Sequence, residues 1–241
     1  MKNYLSFGGG VNSVALYLLL IEQGVDFEAV FVHHGTDWPE TYDYVAGFQW
    51  WLKRRGLRPI TVLRPDVQGF SVLFDYCWRF RMVPSFMRRW CTNRFKIEAM
   101  HRYFEKPAFE MIGIDWGERK RARINSRDGF ECRYPLVEQE IDREGCKRII
   151  RRHGLPVPQK SGCYICPFQS VNQWQELRRN HPCLFQSVVD LEQRNIDYRI
   201  QRGRPPLYLN QYPRAPLRAI VNEDQAQIFE QDEYPPCQCG L

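Results

Sequence analysis

The sequence predicts an α/β protein, a doubly wound parallel sheet followed by a smaller helical lobe that carries cysteines. Two observations predict this class. In the first half, short apolar runs alternate with segments of helical length, which is typical of a parallel sheet with helices on both faces. A run of three glycines, Gly8 to Gly10, joins the first apolar run to the first helix, where sheets of this class bind ligands.

The predicted elements cover most of the chain. Strands are expected at 3–7, 27–33, 59–63 and 109–114, and helices at 13–23, 40–55, 95–104, 141–153, 172–180 and 184–194. After about Gly117 the strand pattern stops and helices and proline-rich loops take over. We therefore expect an α/β domain at 1–130, a helical lobe with a CxxC metal knuckle at 131–202, and an extended tail at 203–241 that wraps the surface or stays mobile.

The composition is that of a globular protein with an anionic partner. Of the 241 residues, 44% are hydrophobic and 14% aromatic, which excludes a disordered chain. No apolar run approaches the roughly 20 residues of a membrane span, and no signal peptide is visible, so we expect a cytoplasmic protein without membrane contact. The net charge of +6 favours a nucleotide, a sulfate ester or a nucleic acid as partner.

The glycine loop is the first candidate site. Glycines let the backbone approach an anion, and the following helix N-terminus offers free N–H groups and a partial positive charge. A plain glycine turn is the alternative, but three glycines before a helix that starts with a serine favour a phosphate or sulfate cradle. The predicted contacts in this loop are Ser6, Gly8, Gly9, Gly10, Asn12 and Ser13.

Two further segments follow strand ends. His33 and His34 come after the second strand, and either can contact an adenine or a phosphate, although one facing the core and the other facing solvent is an equal alternative. Glu118 and Arg121 come after the fourth strand, where they can hold a nucleotide or its pyrophosphate.

Nine cysteines without a secretory signal indicate metal binding or redox chemistry rather than disulfides. Cys163 and Cys166 have CxxC spacing, flanked by glycine and proline, and two such thiolates can hold one metal or two irons of a cluster. Cys91 lies at the start of a helix, which stabilises a thiolate, and Cys146 lies within one. These four suffice for a 4Fe–4S cluster or for a structural zinc ion.

The chain resembles the superfamily of PP-loop ATPases and phosphoadenylyl-sulfate reductases, which has an adenine nucleotide alpha hydrolase-like, Rossmann-like fold. Gly9, Gly10 and Ser13 match the loop Ser-Gly-Gly-x-Asp-Ser, whereas Gly8 and Asn12 replace its first Ser and its Asp. The segment from Gly35 to Thr41 is similar to the second family motif and keeps Asp37, with His33 and His34 in place of an Asp-Thr pair. This resemblance implies a nucleotide-binding domain at 1–130 that uses ATP or another adenine nucleotide, with or without magnesium.

An ordered set of motifs further resembles a branch found in phage and mobile elements and related to DNA phosphorothioation enzymes. The matching residues are Cys91-Thr92 with Lys96, Gly113 with Glu118 and Arg121, Tyr134 to Glu138, Cys146, Gly154 to Pro158, and Ser161 to Phe168. The resemblance implies that Lys96 and Gly113 join His34, Asp37, Glu118 and Arg121 at the nucleotide. It also implies that Cys91, Cys146, Cys163 and Cys166 hold an iron–sulfur cluster, with zinc as the alternative.

Three functions follow. The leading one is an iron–sulfur enzyme that activates a nucleic acid or small molecule with ATP for sulfur transfer, its sulfur supplied by a donor protein or by the cluster. The second is a sulfonucleotide reductase in which Cys239 of the tail attacks the sulfate, as in the Glu-Cys-Gly-Leu tail of such reductases. The third is a nucleotide- or nucleic-acid-binding module with a structural metal and no turnover.

Overall fold

The computed structural model describes residues 1–122, 129–211 and 213–220, together with the backbone of Ser126–Arg127. A sheet of the order β3-β2-β1-β4-β6-β5 runs through its first half. The strands are β1 (Lys2–Ser6), β2 (Glu28–Val32), β3 (Thr61–Leu63), β4 (Ala108–Ile112), β5 (Ser126–Arg127) and β6 (Phe130–Arg133). All neighbouring pairs are parallel except β5 and β6, which run antiparallel.

Helices surround this sheet and continue beyond it. They are α1 (Val11–Glu22), α2 (Pro39–Arg54), α3 (Leu73–Phe80), α4 (Trp90–Thr92), α5 (Glu98–Tyr103), α6 (Pro135–Glu138), α7 (Arg143–Arg152), α8 (Val171–Asn180), α9 (Pro182–Ile200) and α10 (Leu217–Ile220). A π-helical segment, Asn93–Ile97, joins α4 to α5, and a 3₁₀ segment, Trp116–Arg121, follows β4. None of the helices in the described part of the chain has the length and apolar composition needed to span a membrane.

Alternate residues of the central strands pack on opposite faces of the sheet, as a doubly wound fold requires. Leu5 lies in the core formed with α1, α2 and α7, whereas its neighbour Tyr4 lies in a second core with α5. The predicted fold class is therefore confirmed. The short hairpin β5–β6 was not predicted, because two and four residues are too few to give a periodic signal.

A third core lies under the second half of the chain. It joins α3, α8 and α9 to the Cys163 segment and reaches Leu217. The carboxylate of Glu192 on α9 accepts hydrogen bonds from the backbone N–H groups of Leu209 and Leu217, both at 2.7 Å. This buried carboxylate fixes the segment that follows α9.

The helix α7 lies on the sheet rather than with the later helices, since it packs along α1. The sequence had placed it in the helical lobe at 131–202. The packing of the described residues therefore does not follow the boundary at residue 130, and the division into domains stays a prediction. Most of the predicted tail, from residue 221 onward, is outside the described residues.

Candidate functional site

A cavity of about 530 Å³ opens at the carboxyl ends of β1 and β4. Ten of the twelve predicted nucleotide contacts line it: Ser6, Gly8, Gly10, Asn12, Ser13, Asp37, Lys96, Gly113, Glu118 and Arg121. The other two lie beside it. Gly9 faces a smaller cavity with Trp38 and Thr41, and His34 is fully buried behind Asp37. The structure thus brings the predicted residues together, while their contact with a nucleotide stays a prediction.

Glycines shape the wall of this cavity. Gly9 has a φ of +70°, and a Cβ added there would lie 2.9 Å from Cγ2 of Val45. A Cβ on Gly113 would lie 3.0 Å from the backbone carbon of Asn12, so β4 and the glycine loop approach each other closely only because Gly113 has no side chain. Both positions therefore need glycine, one for its conformation and the other for space.

The side chain of Asn12 bridges two charged groups. Its Nδ2 donates a hydrogen bond to Oδ2 of Asp115 at 3.0 Å, and its Oδ1 accepts one from Nη1 of Arg143 at 2.8 Å. An amide can donate to the carboxylate and accept from the guanidinium at the same time. A carboxylate at position 12 would instead face the carboxylate of Asp115, which gives a physical reason for the asparagine in this loop.

Four cationic side chains line the cavity: Lys96, Arg121, Arg143 and Lys160. Arg121 forms an ion pair with Glu118 at 2.7 Å. The sequence had not assigned Arg143 or Lys160, nor Asp115 and Ser161, which also line the cavity. Lys160 and Ser161 immediately precede the CxxC knuckle, so their position in the sequence was the available signal. The arrangement favours an anionic ligand such as a phosphate chain.

The side chains of His34, Asp37 and Lys96 form a buried polar group between the cavity and the cysteines. Nε2 of His34 lies 3.2 Å from Oδ2 of Asp37, and Nζ of Lys96 lies 3.4 Å from Oδ1 of the same carboxylate. Sγ of Cys163 lies 3.6 Å from Oδ1 of Asp37 and 3.7 Å from Nε2 of His34. The Nδ1 of His34 is within 2.7 Å of the hydroxyl of Thr36, which fixes the ring.

Electrostatics favour the charged forms of His34, Asp37 and Lys96, whereas burial raises the pKa of the Cys163 thiol. Burial lowers the pKa of His34, but the charges of Asp37 and Cys163 outweigh it and raise that pKa to about 9. Burial raises the pKa of Asp37, yet His34 and Lys96 hold it well below its usual range. For Lys96, the Asp37 carboxylate outweighs the lowering effect of burial and raises the pKa. Asp37 and Lys96 therefore form a charged pair at the floor of the cavity.

Backbone pairing attaches the cysteine knuckle to this group. Asp37 and Cys163 form an isolated antiparallel bridge, in which the N–H of Trp38 donates to the carbonyl of Gly162 at 2.9 Å and the N–H of Tyr164 donates to that of Thr36 at 2.9 Å. The CxxC knuckle is thereby fixed beside the loop after β2. Local sequence does not indicate this pairing, since more than a hundred residues separate the two segments.

The structure brings three of the four predicted metal ligands together. Cys91, Cys163 and Cys166 lie in the same apolar core, which also contains Cys77. Cys146 lies in the core between α1 and α7 and does not join them. Cys239, the predicted tail nucleophile, is outside the described residues. No metal ligand is thereby established, and the ligand set stays a prediction.

Two kinds of metal centre suit the side chains present. Ligand atoms of His34, Asp37 and Cys163 all lie within 4.8 Å of one another, and such a mixed set is typical of a single zinc ion. The grouped thiols, enclosed by apolar side chains and next to Lys96, have the donor chemistry of an iron–sulfur cluster. Cys163 belongs to both sets, so only one of the two centres can form.

Comparison with known proteins agrees with this architecture. Residues 2–127, just over half of the chain, match the family model described as the phosphoadenosine phosphosulfate reductase domain. An uncharacterized protein of Methanocaldococcus jannaschii is 23% identical over 214 residues, a match that covers 80% of this chain and 49% of that protein, so the chain spans about half of the relative's length.

A solved structure shares the fold. The phosphoadenylyl-sulfate reductase from Candida auris, crystallised as a phosphate complex, superposes with a TM-score of 0.52 at 13% identity. The match covers 68% of this chain and 82% of that one. At this identity the likeness concerns the fold alone.

Proposed function

We propose, from the premise that the chain belongs to the phosphoadenosine phosphosulfate reductase domain family, that this protein binds an adenine nucleotide in the cavity and uses it for sulfur chemistry at the neighbouring cysteines. The leading form of this proposal is an iron–sulfur-dependent enzyme that activates an acceptor with ATP for sulfur transfer. The observation that carries it is the shared wall between cavity and cysteines. Asp37 and Lys96 line the cavity, and the same carboxylate lies 3.6 Å from Sγ of Cys163.

The cavity supports the nucleotide half of the proposal. The backbone N–H groups at the start of α1 and the cationic side chains Lys96, Arg143 and Lys160 suit a phosphate chain. Gly8 leaves room for phosphate oxygens to approach the backbone, whereas the side chain of Ser161 packs against Gly10. The bridge from Asn12 to Arg143 positions the guanidinium at the edge of the cavity, where it can neutralise charge that develops on a leaving pyrophosphate.

The reaction then has two steps. An oxygen of the acceptor bonds to the α-phosphorus of ATP and pyrophosphate leaves, which makes that oxygen part of a good leaving group. A sulfur nucleophile at the oxidation level of sulfide then displaces AMP together with the oxygen, leaving sulfur in its place. An iron–sulfur cluster, when bound, would supply or hold the sulfur. The roles of Lys96 and Arg143 are to orient the phosphates and balance their charge.

The resemblance to the phosphorothioation branch supports a nucleic acid as acceptor. A basic stripe on α7 is formed by Lys147, Arg148, Arg151 and Arg152. Lys147 pairs with Glu144 and Arg152 with Glu22, and a phosphate bound there would share or replace these carboxylates. Arg143, at the first turn of the same helix, reaches the cavity itself. A strand bound along α7 would therefore lead toward the nucleotide.

The second candidate is reduction of a sulfonucleotide. Two observations favour it: the family model is that of a reductase domain, and the loop has Asn12 where the ATP-cleaving members of the superfamily have Asp. In this reaction Cys239 would attack the sulfate sulfur, forming a thiosulfonate and releasing the nucleotide. A second thiol would then release sulfite and form a disulfide.

Product analysis separates these candidates. Anaerobically purified protein is incubated with ATP, sulfide and oligonucleotides, and separately with phosphoadenylyl sulfate and a dithiol. Release of pyrophosphate and AMP with sulfur incorporated into the oligonucleotide supports sulfur transfer, whereas release of sulfite supports reduction. If neither product forms while nucleotide still binds, the protein is a binding module and the enzymatic proposal is wrong.

A matched pair of variants connects either activity to the cavity. Lys96→Met removes one of the four cations that line the cavity, whereas Lys53→Met removes an exposed lysine in the last turn of α2. We expect the first variant to lose about 10- to 100-fold in nucleotide affinity, the range of one charge-assisted contact, and the second to bind normally. Equal affinity in both variants would remove Lys96 from the site.

A further inference from the structure

We propose that Cys77, together with Cys91, Cys163 and Cys166, completes the four-thiolate site of the iron–sulfur cluster, in place of Cys146. This inference rests on the cluster in the proposed function and names its ligands. The sequence gives Cys77 no such role, because it has no cysteine partner nearby and lies in a segment where no helix was predicted. The structure places it in the third core, beside the other three cysteines.

Helix α3, which carries Cys77, is held against both ligand segments. On one side, the ring of Tyr76 lies 5.8 Å from that of Trp90, and its hydroxyl accepts a hydrogen bond from Nη1 of Arg94 at 2.9 Å. These two residues flank Cys91. Helix α3 therefore packs on the segment that presents the first thiol.

On the other side, α3 contacts the CxxC knuckle. The ring of Phe74 lies 6.4 Å from that of Tyr164, which is between Cys163 and Cys166. The helix begins at Leu73, whose N–H donates to the carbonyl of His34 at 3.0 Å, so its start is fixed to the buried polar group. Cys77 is thus one turn along a helix anchored to both segments, and its side chain is fully buried.

The four cysteines share one core. Cys77 and Cys163 lie within it, and Cys91 and Cys166 are partly buried against it. Cys146 lies in a different core, with residues of α1 and α2. A 4Fe–4S cluster is held by four thiolates, and Cys77, Cys91, Cys163 and Cys166 all belong to or pack against one core.

Burial is consistent with a ligand role. Four thiolates in an apolar core repel one another and are costly to desolvate, and a metal cluster removes both costs. The cation of Lys96, which also acts on Cys163 and Cys166, would balance the remaining negative charge. The shell that the chain provides therefore resembles that of a buried cluster, with apolar side chains around the sulfurs and cationic side chains beside them.

The test compares single cysteine variants of the whole chain. Cys77→Ala and Cys146→Ala each remove one buried thiol from a helix, and Cys183→Ala removes an exposed thiol from α9 as a control. Iron and acid-labile sulfide are measured per chain after anaerobic purification and reconstitution, with the absorption near roughly 400 nm and the electron paramagnetic resonance spectrum of the oxidised protein.

We expect Cys146→Ala and Cys183→Ala to keep the iron content of the wild type. Cys77→Ala should lose at least half of its iron, or convert the cluster to a three-iron form that gives a paramagnetic resonance signal. Thermal unfolding followed by circular dichroism reports whether each variant is folded. Cys77→Val, which keeps a buried apolar side chain without a ligand atom, decides the matter if the alanine variant does not fold.

Full iron in folded Cys77→Ala overturns the inference, as does loss of iron in Cys146→Ala alone. Both outcomes leave the proposed function intact, because the wild type still carries a cluster. A wild type that binds one zinc ion, lost in His34→Ala but kept in Cys77→Ala, overturns the inference and the iron–sulfur part of the proposed function together. It would assign the metal to His34, Asp37 and Cys163.

Discussion

Replacing Asn12 by Asp introduces the Asp of the PP-loop pattern that the glycine loop resembles, and the structure predicts that this change weakens nucleotide binding. Oδ2 of Asp115 is 3.0 Å from Nδ2 of Asn12, so the new carboxylate would lie about that far from another. Two like charges at this distance repel by about 5 kcal/mol at an effective dielectric constant of about 20. The guanidinium of Arg143, 2.8 Å from Oδ1, offsets most of this cost.

The remaining effect is an added negative charge at the wall that faces the phosphates. At low pH the two carboxylates can share a proton, because like charges at short range raise one pKa. As pH rises, the proton leaves and the cavity gains a full negative charge. We therefore expect Asn12→Asp to lose about 10-fold in nucleotide affinity near pH 6 and up to about 100-fold near pH 8, with each factor of 10 worth about 1.4 kcal/mol.

Isothermal titration with a non-hydrolysable ATP analogue at pH 6, 7 and 8 measures this effect. Asn12→Ala is the control, since it removes the bridge between Asp115 and Arg143 without adding charge, and its affinity should not change with pH more than that of the wild type. If Asn12→Asp binds as tightly as the wild type at pH 8, the carboxylate is accommodated there. The bridge would then not be the reason for asparagine at this position.

Two further predictions concern stability. Gly9→Ala should lower the free energy of unfolding by about 1 to 3 kcal/mol in urea melts, because a side chain at a φ of +70° is strained and its Cβ would lie 2.9 Å from Val45. An unchanged melt would contradict the left-handed conformation of Gly9. Burial raises the pKa of Glu192 to about 7, above its ordinary value of 4.5, so the unfolded chain loses this proton at a lower pH than the folded chain. The free energy of unfolding therefore falls as pH rises from about 4.5 to 7, by at most about 3 kcal/mol. The side chain at position 192 cannot titrate in Glu192→Gln, so the urea midpoints of this variant at pH 5 and pH 7.5 should differ less than those of the wild type. Equal pH dependence in both proteins would show that Glu192 is not the source of the pH dependence of stability.

The sheet and its first helices could be predicted from the sequence because their apolar residues are periodic. The predicted strand at 27–33 contains β2, and the predicted helix at 40–55 overlaps α2, with differences of one or two residues at the ends. In contrast, α3 was not predicted. Its eight residues, Leu73–Phe80, include aromatic side chains on several faces. Tyr76 is buried against Trp90 and Phe74 packs on Tyr164, and local sequence does not encode these contacts.

The candidate site divides in the same way. Residues at the carboxyl ends of β1 and β4 could be assigned because parallel strands bring their ends to one edge of a sheet. The choice between Cys77 and Cys146 could not be made from the sequence. Each is a single cysteine on a helix, and the core that each helix faces depends on packing between distant segments.

The bridge between Asp37 and Cys163 has a consequence for how the two halves of the site act together. Asp37 pairs with Lys96 at the cavity, while its backbone pairs with Cys163 in the knuckle. A ligand that draws Lys96 toward its phosphates would weaken the ion pair with Asp37 and so change the charge beside Sγ of Cys163. By linkage, metal binding at Cys163 would change nucleotide affinity by the same free energy. Nucleotide titrations of metal-loaded and metal-free protein should therefore give different affinities. The difference should disappear in Lys96→Met, because this variant breaks the only ion pair that Asp37 forms with a lysine or arginine among the described residues.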